Sequence, residues 1–210
     1  DDLYYVPQHF GQYDEMSIAQ ALGIDRKQKA LHEILNGNAS IDHFNILDDD
    51  WNIEEKALAA LNGWGLGNRS LSESMHTLSG GEKTRVFLAG LELQEPPAVL
   101  MDEPTNGLDI PSKSGFRRLI SSASVDDRCI IISTHQVRDL ENLIDALIVM
   151  DNSQVYINAT TERILERLSF RQVGQEEEVL YAEDSLRGKW GCVENTTGEE
   201  SKLDLSLIHI

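Results

Sequence analysis

Leu78-Ser79-Gly80-Gly81-Glu82 stands directly before a stretch with helical periodicity, and its residue types suit an anion. Two glycines let backbone amides approach closely, the Ser79 hydroxyl adds a donor, and a helix N-terminus adds partial positive charge. Read alone, the same string is an ordinary capping box, with Ser79 at the N-cap and Glu82 at the third helical position. Further on, the apolar run Val99-Leu100-Met101 ends in Asp102-Glu103-Pro104-Thr105-Asn106-Gly107-Leu108-Asp109. A strand ending in Asp-Glu can offer one carboxylate to Mg²⁺ and a second to the attacking water of phosphoryl transfer. A third string, Cys129-Ile130-Ile131-Ile132, ends in Ser133-Thr134-His135 and presents an imidazole at a carboxyl edge, where α/β sheets bind ligands. By itself His135 is an ordinary loop histidine; in this order the three strings explain one another.

The elements that must position these residues follow from periodicity. From Ile18 to about Trp64 the pattern is mostly helical, with a Gly/Asn stop at Asn36-Gly37-Asn38. Asp48-Asp49-Asp50 reads as a carboxylate cap and solvated turn before the helix Ile53–Leu61, which stops at Asn62-Gly63. Adjacent carboxylates without other ligands do not make a coordination sphere, so no metal site is expected there. Glu82 to about Leu93 predicts a second good helix, and Ser112 to Ser122 another, with Phe116, Leu119 and Ile120 at core spacing. Gln136 to Leu143 predicts a further helix, before the apolar run Ala146–Met150. Short buried apolar runs alternating with helices predict an α/β fold with a parallel core sheet. From Arg171 the chain turns acidic, with Glu176-Glu177-Glu178, and reads as an accessory tail.

Composition bounds the rest. The 210 residues carry 18 Lys+Arg against 36 Asp+Glu, a net charge of −18. A summed negative field repels phosphate backbones and anionic lipid, so direct DNA binding is not expected. No apolar run is long enough to span a bilayer. Two cysteines, Cys129 and Cys192, give no disulfide framework, and a reducing cytoplasm is the default expectation.

In this order the motifs resemble the ATP-binding cassette (ABC) ATPase family, over roughly Leu3 to Phe170. The resemblance implies a P-loop NTPase fold of ABC type, with a helical signature subdomain at about residues 14–95 of a cassette spanning 1–170. It implies ATP and Mg²⁺ as cofactors. Gln8 would be the Q-loop glutamine, sensing Mg²⁺ and the attacking water. Asp102 would be the metal carboxylate, Glu103 the general base and His135 the switch histidine. Ser79, Gly80, Gly81 and Glu82 would form the signature that closes on a γ-phosphate held by a second cassette, in cis or in a dimer. Leu108-Asp109 matches the D-loop.

A phosphate cradle of the form G-x-x-x-x-G-K-[ST] does not occur in the 210 residues; the Gly188-Lys189 pair is followed by Trp190 and lacks the first glycine. In the family this loop precedes the Q-loop, so it is expected upstream of Asp1, the fold is expected to be incomplete at its N-terminus, and this chain alone is expected to bind ATP weakly. Residues 4–90 resemble ABC-F translation factors through Tyr5–Gln12, Asp48–Glu55 and Leu78–Val86, which implies a ribosomal partner. Residues 102–204 instead resemble the ATPase subunit of a bacterial ABC transporter, through Thr105–Ser114 and Ile132–Leu143, which implies a membrane permease and a place at the inner face of the membrane. A non-catalytic interaction module is the third reading. The change of likeness at Asp102–Asp109 is what two related genes joined there would give. The final Leu205-Ser206-Leu207-Ile208-His209-Ile210 resembles a translated sequencing adapter and is set aside as a non-native scar.

Overall fold

Two of the strings singled out above end parallel strands, and the third opens a helix. The computed structural model describes residues 3–123, 128–137, 140, 143–174, 177–185, 188–196, 198 and 201–205. Its contacts divide the chain into a unit of residues 1–135 and a unit of residues 136–210.

In the first unit β1 (Leu3–Val6), β2 (Ala98–Asp102) and β3 (Cys129–Ser133) form a parallel sheet in that order. The register aligns Val6 with Met101 and Met101 with Ile132, so all three strands end level. Val6, Val99 and Met101 share one face of this sheet and are buried, whereas Tyr5 and Ile131 on the opposite face are exposed, so the runs expected to be buried are covered on one face only. Parallel strands need crossovers, and the chain supplies helices for them. Between β1 and β2 lie α1 (Ile18–Ala21), α2 (Asp25–Leu35), α3 (Ile41–Leu47), α4 (Ile53–Gly63) and α5 (Gly80–Gln94). Between β2 and β3 lies α6 (Ile110–Ala123). Local chemistry sets the helix ends. Ser17 and Gln20 form a capping box on α1, and α2 stops at Asn36 with Gly37 in the left-handed region at φ 94°.

The aspartate triplet acts differently from the expected cap. Asn52 holds the N-cap position of α4 without a side-chain cap bond, and Glu54 and Glu55 occupy the first turn. Asp48 and Asp49 are left-handed, at φ 51° and 56°, so they turn the chain out of α3. Asp50 then pairs with Lys27 at 3.3 Å and Lys56 at 2.6 Å. The triplet is spent on reversing the chain and on ion pairs, not on the next helix dipole.

The second unit departs from the expected parallel pattern. Ala146–Asp151 is β4, but it pairs antiparallel with β5 (Gln154–Thr160). Asn152 and Ser153 between them are both left-handed, at φ 46° and 62°. Two such residues make the tight hairpin turn whose twist matches its strands. An apolar run reports burial but not the direction of its neighbour, and Ile148 and Met150 of β4 are in fact exposed. After α7 (Thr161–Leu165), strands β6 (Leu168–Val173), β7 (Tyr181–Ser185) and β8 (Gly188–Glu194) form an antiparallel sheet in the order β6-β8-β7. Ile164, Phe170 and Cys192 form its buried cluster. β6 runs across residue 170, where the sequence reading ends the cassette. Half of the helix expected at Gln136–Leu143 falls outside the described residues, as do Glu176 and Ser206–Ile210; Leu205 is buried.

Helix α5 is fastened to the sheet by one buried polar contact. The Tyr4 hydroxyl donates to the Phe87 carbonyl at 2.8 Å, and burial pushes the phenol pKa upward. A Cβ added at Gly90 would lie 2.4 Å from that hydroxyl and 3.3 Å from Leu22 Cα. Gly90→Ala therefore gains helix propensity of about 1 kcal/mol but displaces Tyr4 or α1 at greater cost. Urea unfolding should show a net loss of roughly 1–2 kcal/mol.

Candidate functional site

The level ends of the three parallel strands bring Gln8, Asp102, Glu103 and His135 to one edge of the sheet. Gln8 and Asp102 line a common cavity of about 340 Å³ with Tyr5, Pro7, His9 and Gln12. Among the described residues no group of three or more His, Cys, Asp or Glu side chains could hold a metal ion. An oxygen donor from Asp102 and an amide oxygen from Gln8 nevertheless fit Mg²⁺, which keeps waters and substrate oxygens in its shell and needs few protein ligands.

Glu103 is held more firmly than any other residue at this edge. Its backbone is left-handed, at φ 47°, and its N–H donates to the Ser133 carbonyl at 2.8 Å. The Thr134 hydroxyl donates to Oε2 at 2.8 Å, the His135 N–H donates to Oε1 at 2.8 Å, and His135 Nδ1 lies 2.5 Å from Oε1. Burial pushes the Glu103 pKa up, yet the Thr134 and His135 hydrogen bonds outweigh it and hold the carboxyl below its usual range. The His135 ring stays largely open to solvent. Sequence reasoning assigned no role to Thr134. Its only signal is its place beside His135, and a contact between residues that follow separate strands leaves no spacing to detect.

Ser79, Gly80, Gly81 and Glu82 form the first turn of α5. Ser79 is the N-cap, its Oγ accepts from the Glu82 N–H at 3.4 Å, and Glu82 Oε2 accepts from the Ser79 N–H at 2.9 Å and its hydroxyl at 2.7 Å. The string is thus a capping box in this structure, and the anion-binding reading is an addition to that role rather than an alternative. Gly80 faces open space, whereas a Cβ on Gly81 would lie 2.4 Å from the Gly107 carbonyl oxygen. The turn before α6 therefore packs on the signature backbone. Asp109 in that turn accepts from the Ser112 N–H at 2.9 Å, and the Ser112 side chain first, then this backbone bond, lower its pKa.

A parallel-sheet edge bearing Gln8, Asp102-Glu103 and His135, with a Ser-Gly-Gly helix start in the same unit, is an α/β arrangement of the kind that binds ligands at the carboxyl ends of its strands. The chain belongs to the ABC transporter family, whose pattern matches residues 1–106. It is similar to the energy-coupling factor transporter ATP-binding protein EcfA2 of Lactiplantibacillus plantarum, 30% identical over 130 residues that cover 60% of this chain and 44% of that protein. It is also similar to EcfA2 of Mycoplasma pneumoniae, 35% identical over 48% of this chain and 33% of that protein. The glutathione/L-cysteine transport system ATP-binding/permease protein CydC of Escherichia coli is 36% identical over 52% of this chain and 18% of that protein. The chain thus spans less than half the length of these curated relatives. Among solved structures, an ATP-binding subunit of an ABC transporter superposes with a TM-score of 0.57 at 23% identity, covering 78% of this chain and 60% of that one. A bacterial Atm1-family exporter with ATP bound gives 0.53 at 21%, covering 78% and 26%. At these identities the likeness establishes the fold, a mixed α/β ABC cassette with a parallel sheet.

The Glu82 carboxylate carries a clear dependence on acid. The Ser79 side chain and then Arg69 hold its pKa at about 2, against an ordinary 4.5. Its stabilising contribution is present above the unfolded value and lost as pH falls toward the folded one. Between about pH 4.5 and pH 2 the folded chain should therefore lose stability at up to roughly 1.4 kcal/mol per pH unit on this account. Urea unfolding of Glu82→Gln over the same range should show a shallower slope.

Proposed function

We propose that this chain is part of the ATP-hydrolysing cassette of a membrane transporter. The observation that carries the reading is Glu103, placed on a left-handed backbone beside the Gln8–Asp102 cavity and gripped by Thr134 and His135. The names of the relatives support the transporter role, since each is a transporter ATP-binding protein. They favour it over the ABC-F reading drawn from residues 4–90. Among the described residues no helix is long and apolar enough to cross a membrane; in the transporter reading a permease, on the same polypeptide or another, provides the membrane passage.

In this reading Asp102 and Gln8 would hold Mg²⁺ beside the nucleotide phosphates, where the ion would supply neutralising charge. Glu103 takes the proton of the attacking water. His135 meets the γ-phosphate, and Ser79 with the Gly80 and Gly81 amides closes on the γ-phosphate of a nucleotide carried by a second cassette. Asp109 sits where the two cassettes meet. A carboxylate already accepting three hydrogen bonds is a poor base, so His135 must turn from Glu103 toward phosphate before Glu103 can work. Closure of the second cassette would drive that exchange.

Two measurements test this. In the ATPase that contains this cassette, Glu103→Gln keeps shape and hydrogen bonding but removes the basic site, so kcat should fall by about 10²–10⁴-fold while ATP is still bound. Turnover at the parental rate would reject the assignment. Cell fractionation separates the partner classes: the transporter reading expects the protein in the membrane pellet, and ribosomal sediment would instead favour the ABC-F reading.

A further inference from the structure

Arg69 lies in the loop between α4 and α5, well before the signature in sequence, yet its guanidinium reaches the signature helix. Nη2 is 2.5 Å from Glu82 Oε1 and Nη1 is 2.9 Å from Glu73 Oε1. Glu73 is fixed in turn by the Thr77 hydroxyl at 2.7 Å. The two oxygens of Glu82 divide their work: Oε1 takes Arg69, and Oε2 takes the Ser79 N–H and hydroxyl. Arg69 Nε is buried without a hydrogen-bond partner, so the side chain gives up solvation there to hold this fork. The neighbouring cation of the same helical turn, Lys83, is committed to Asp14 and is not the counter-charge of Glu82.

This arrangement answers a difficulty in the proposed chemistry. A carboxylate 2.7 Å from the hydroxyl that must meet a phosphate brings a negative charge beside an anion site. The chain, at net charge −18, has no general positive field to offset it. We propose that Arg69 is a positioning residue for the signature, holding Glu82 by one oxygen so that the other orients Ser79, and cancelling its charge beside the incoming phosphate. The inference rests on the reading of Ser79 as a phosphate contact.

The test is a double-mutant cycle in the ATPase that contains this cassette. Arg69→Met should lower kcat/KM for ATP by about tenfold or more, because Glu82 is left unpaired beside the phosphate. In a Glu82→Gln background the same change should cost less than about threefold, because the neutral amide needs no counter-charge. Equal losses in both backgrounds, or no loss in the parent, would overturn the positioning role alone. Ser79→Ala with undiminished turnover would overturn the signature reading, and this inference with it. Arg69→Lys guards against a folding defect and is read in this chain by carbon-13 NMR titration of the Glu82 carboxyl. A lone ammonium cannot bridge Glu73 and Glu82 together, so the midpoint should rise by about one pH unit. An unchanged midpoint would show that Arg69 does not hold Glu82, and would overturn the proposal.

Discussion

One hydrogen bond organises the sheet edge that carries the candidate site, from the Glu103 N–H to the Ser133 carbonyl at 2.8 Å. It continues the β2–β3 ladder one residue past the end of β2, on a backbone that has already turned left-handed. That turn is why the Glu103 side chain meets the residues following β3 rather than continuing the alternation of the strand. A left-handed non-glycine residue costs about 1 kcal/mol or more, and Pro104 behind it restricts the backbone further. The cost is offset by the three donors from Thr134 and His135. Backbone and side chain therefore depend on each other, and on the parallel pairing that brings β3 alongside.

The same logic governs the other cluster. The first turn of α5 is tied down on two sides, by Arg69 through Glu82 and by Asp14 through Lys83. Asp14 follows the segment that carries Gln8, and the rings of Phe10 and Tyr13 in that segment pack against Phe87 of α5, tilted at 5.5 Å and edge-on at 4.9 Å. A shift of the Gln8 segment would thus be felt at the signature turn through an ion pair and two ring contacts. Packed aromatic rings transmit displacement because dense interiors do not deform smoothly. The Gly81–Gly107 contact adds a third tie, joining the signature to the turn that ends in Asp109.

What could be read from the sequence was local. The glycine and asparagine stops, the Ser79 capping box and the helix over residues 80–94 follow from side chains acting within a turn or two. The strand ends carrying Asp102-Glu103 and His135 were legible because apolar runs ending in polar residues point at a sheet edge. Pairing partners were not legible. Ala146–Met150 has the composition of a core strand, but the two left-handed residues Asn152 and Ser153 return the chain to it as an antiparallel hairpin. Asp48–Asp50 looked like a cap because carboxylates favour helix starts, and periodicity says nothing about which residues take positive φ. Thr134 and Arg69 act on residues far away in sequence, through geometry that only the folded chain creates.

The protonation of Glu103 bears on how such a site avoids idle turnover. A general base works best with a pKa near the working pH, and burial alone would move Glu103 that way. Thr134 and His135 move it the opposite way and occupy its lone pairs. The two effects act on one carboxylate and differ in what can remove them. Burial, the Thr134 bond and the His135 N–H bond belong to the sheet edge and persist, whereas the Nδ1 contact depends on a ring that is largely solvent-exposed and free to be drawn toward an anion. Losing the Nδ1 contact removes one of the influences that lower the Glu103 pKa, so that pKa rises as the ring leaves. In the proposed mechanism the phosphate that His135 turns to meet thereby frees the base and strengthens it in the same movement.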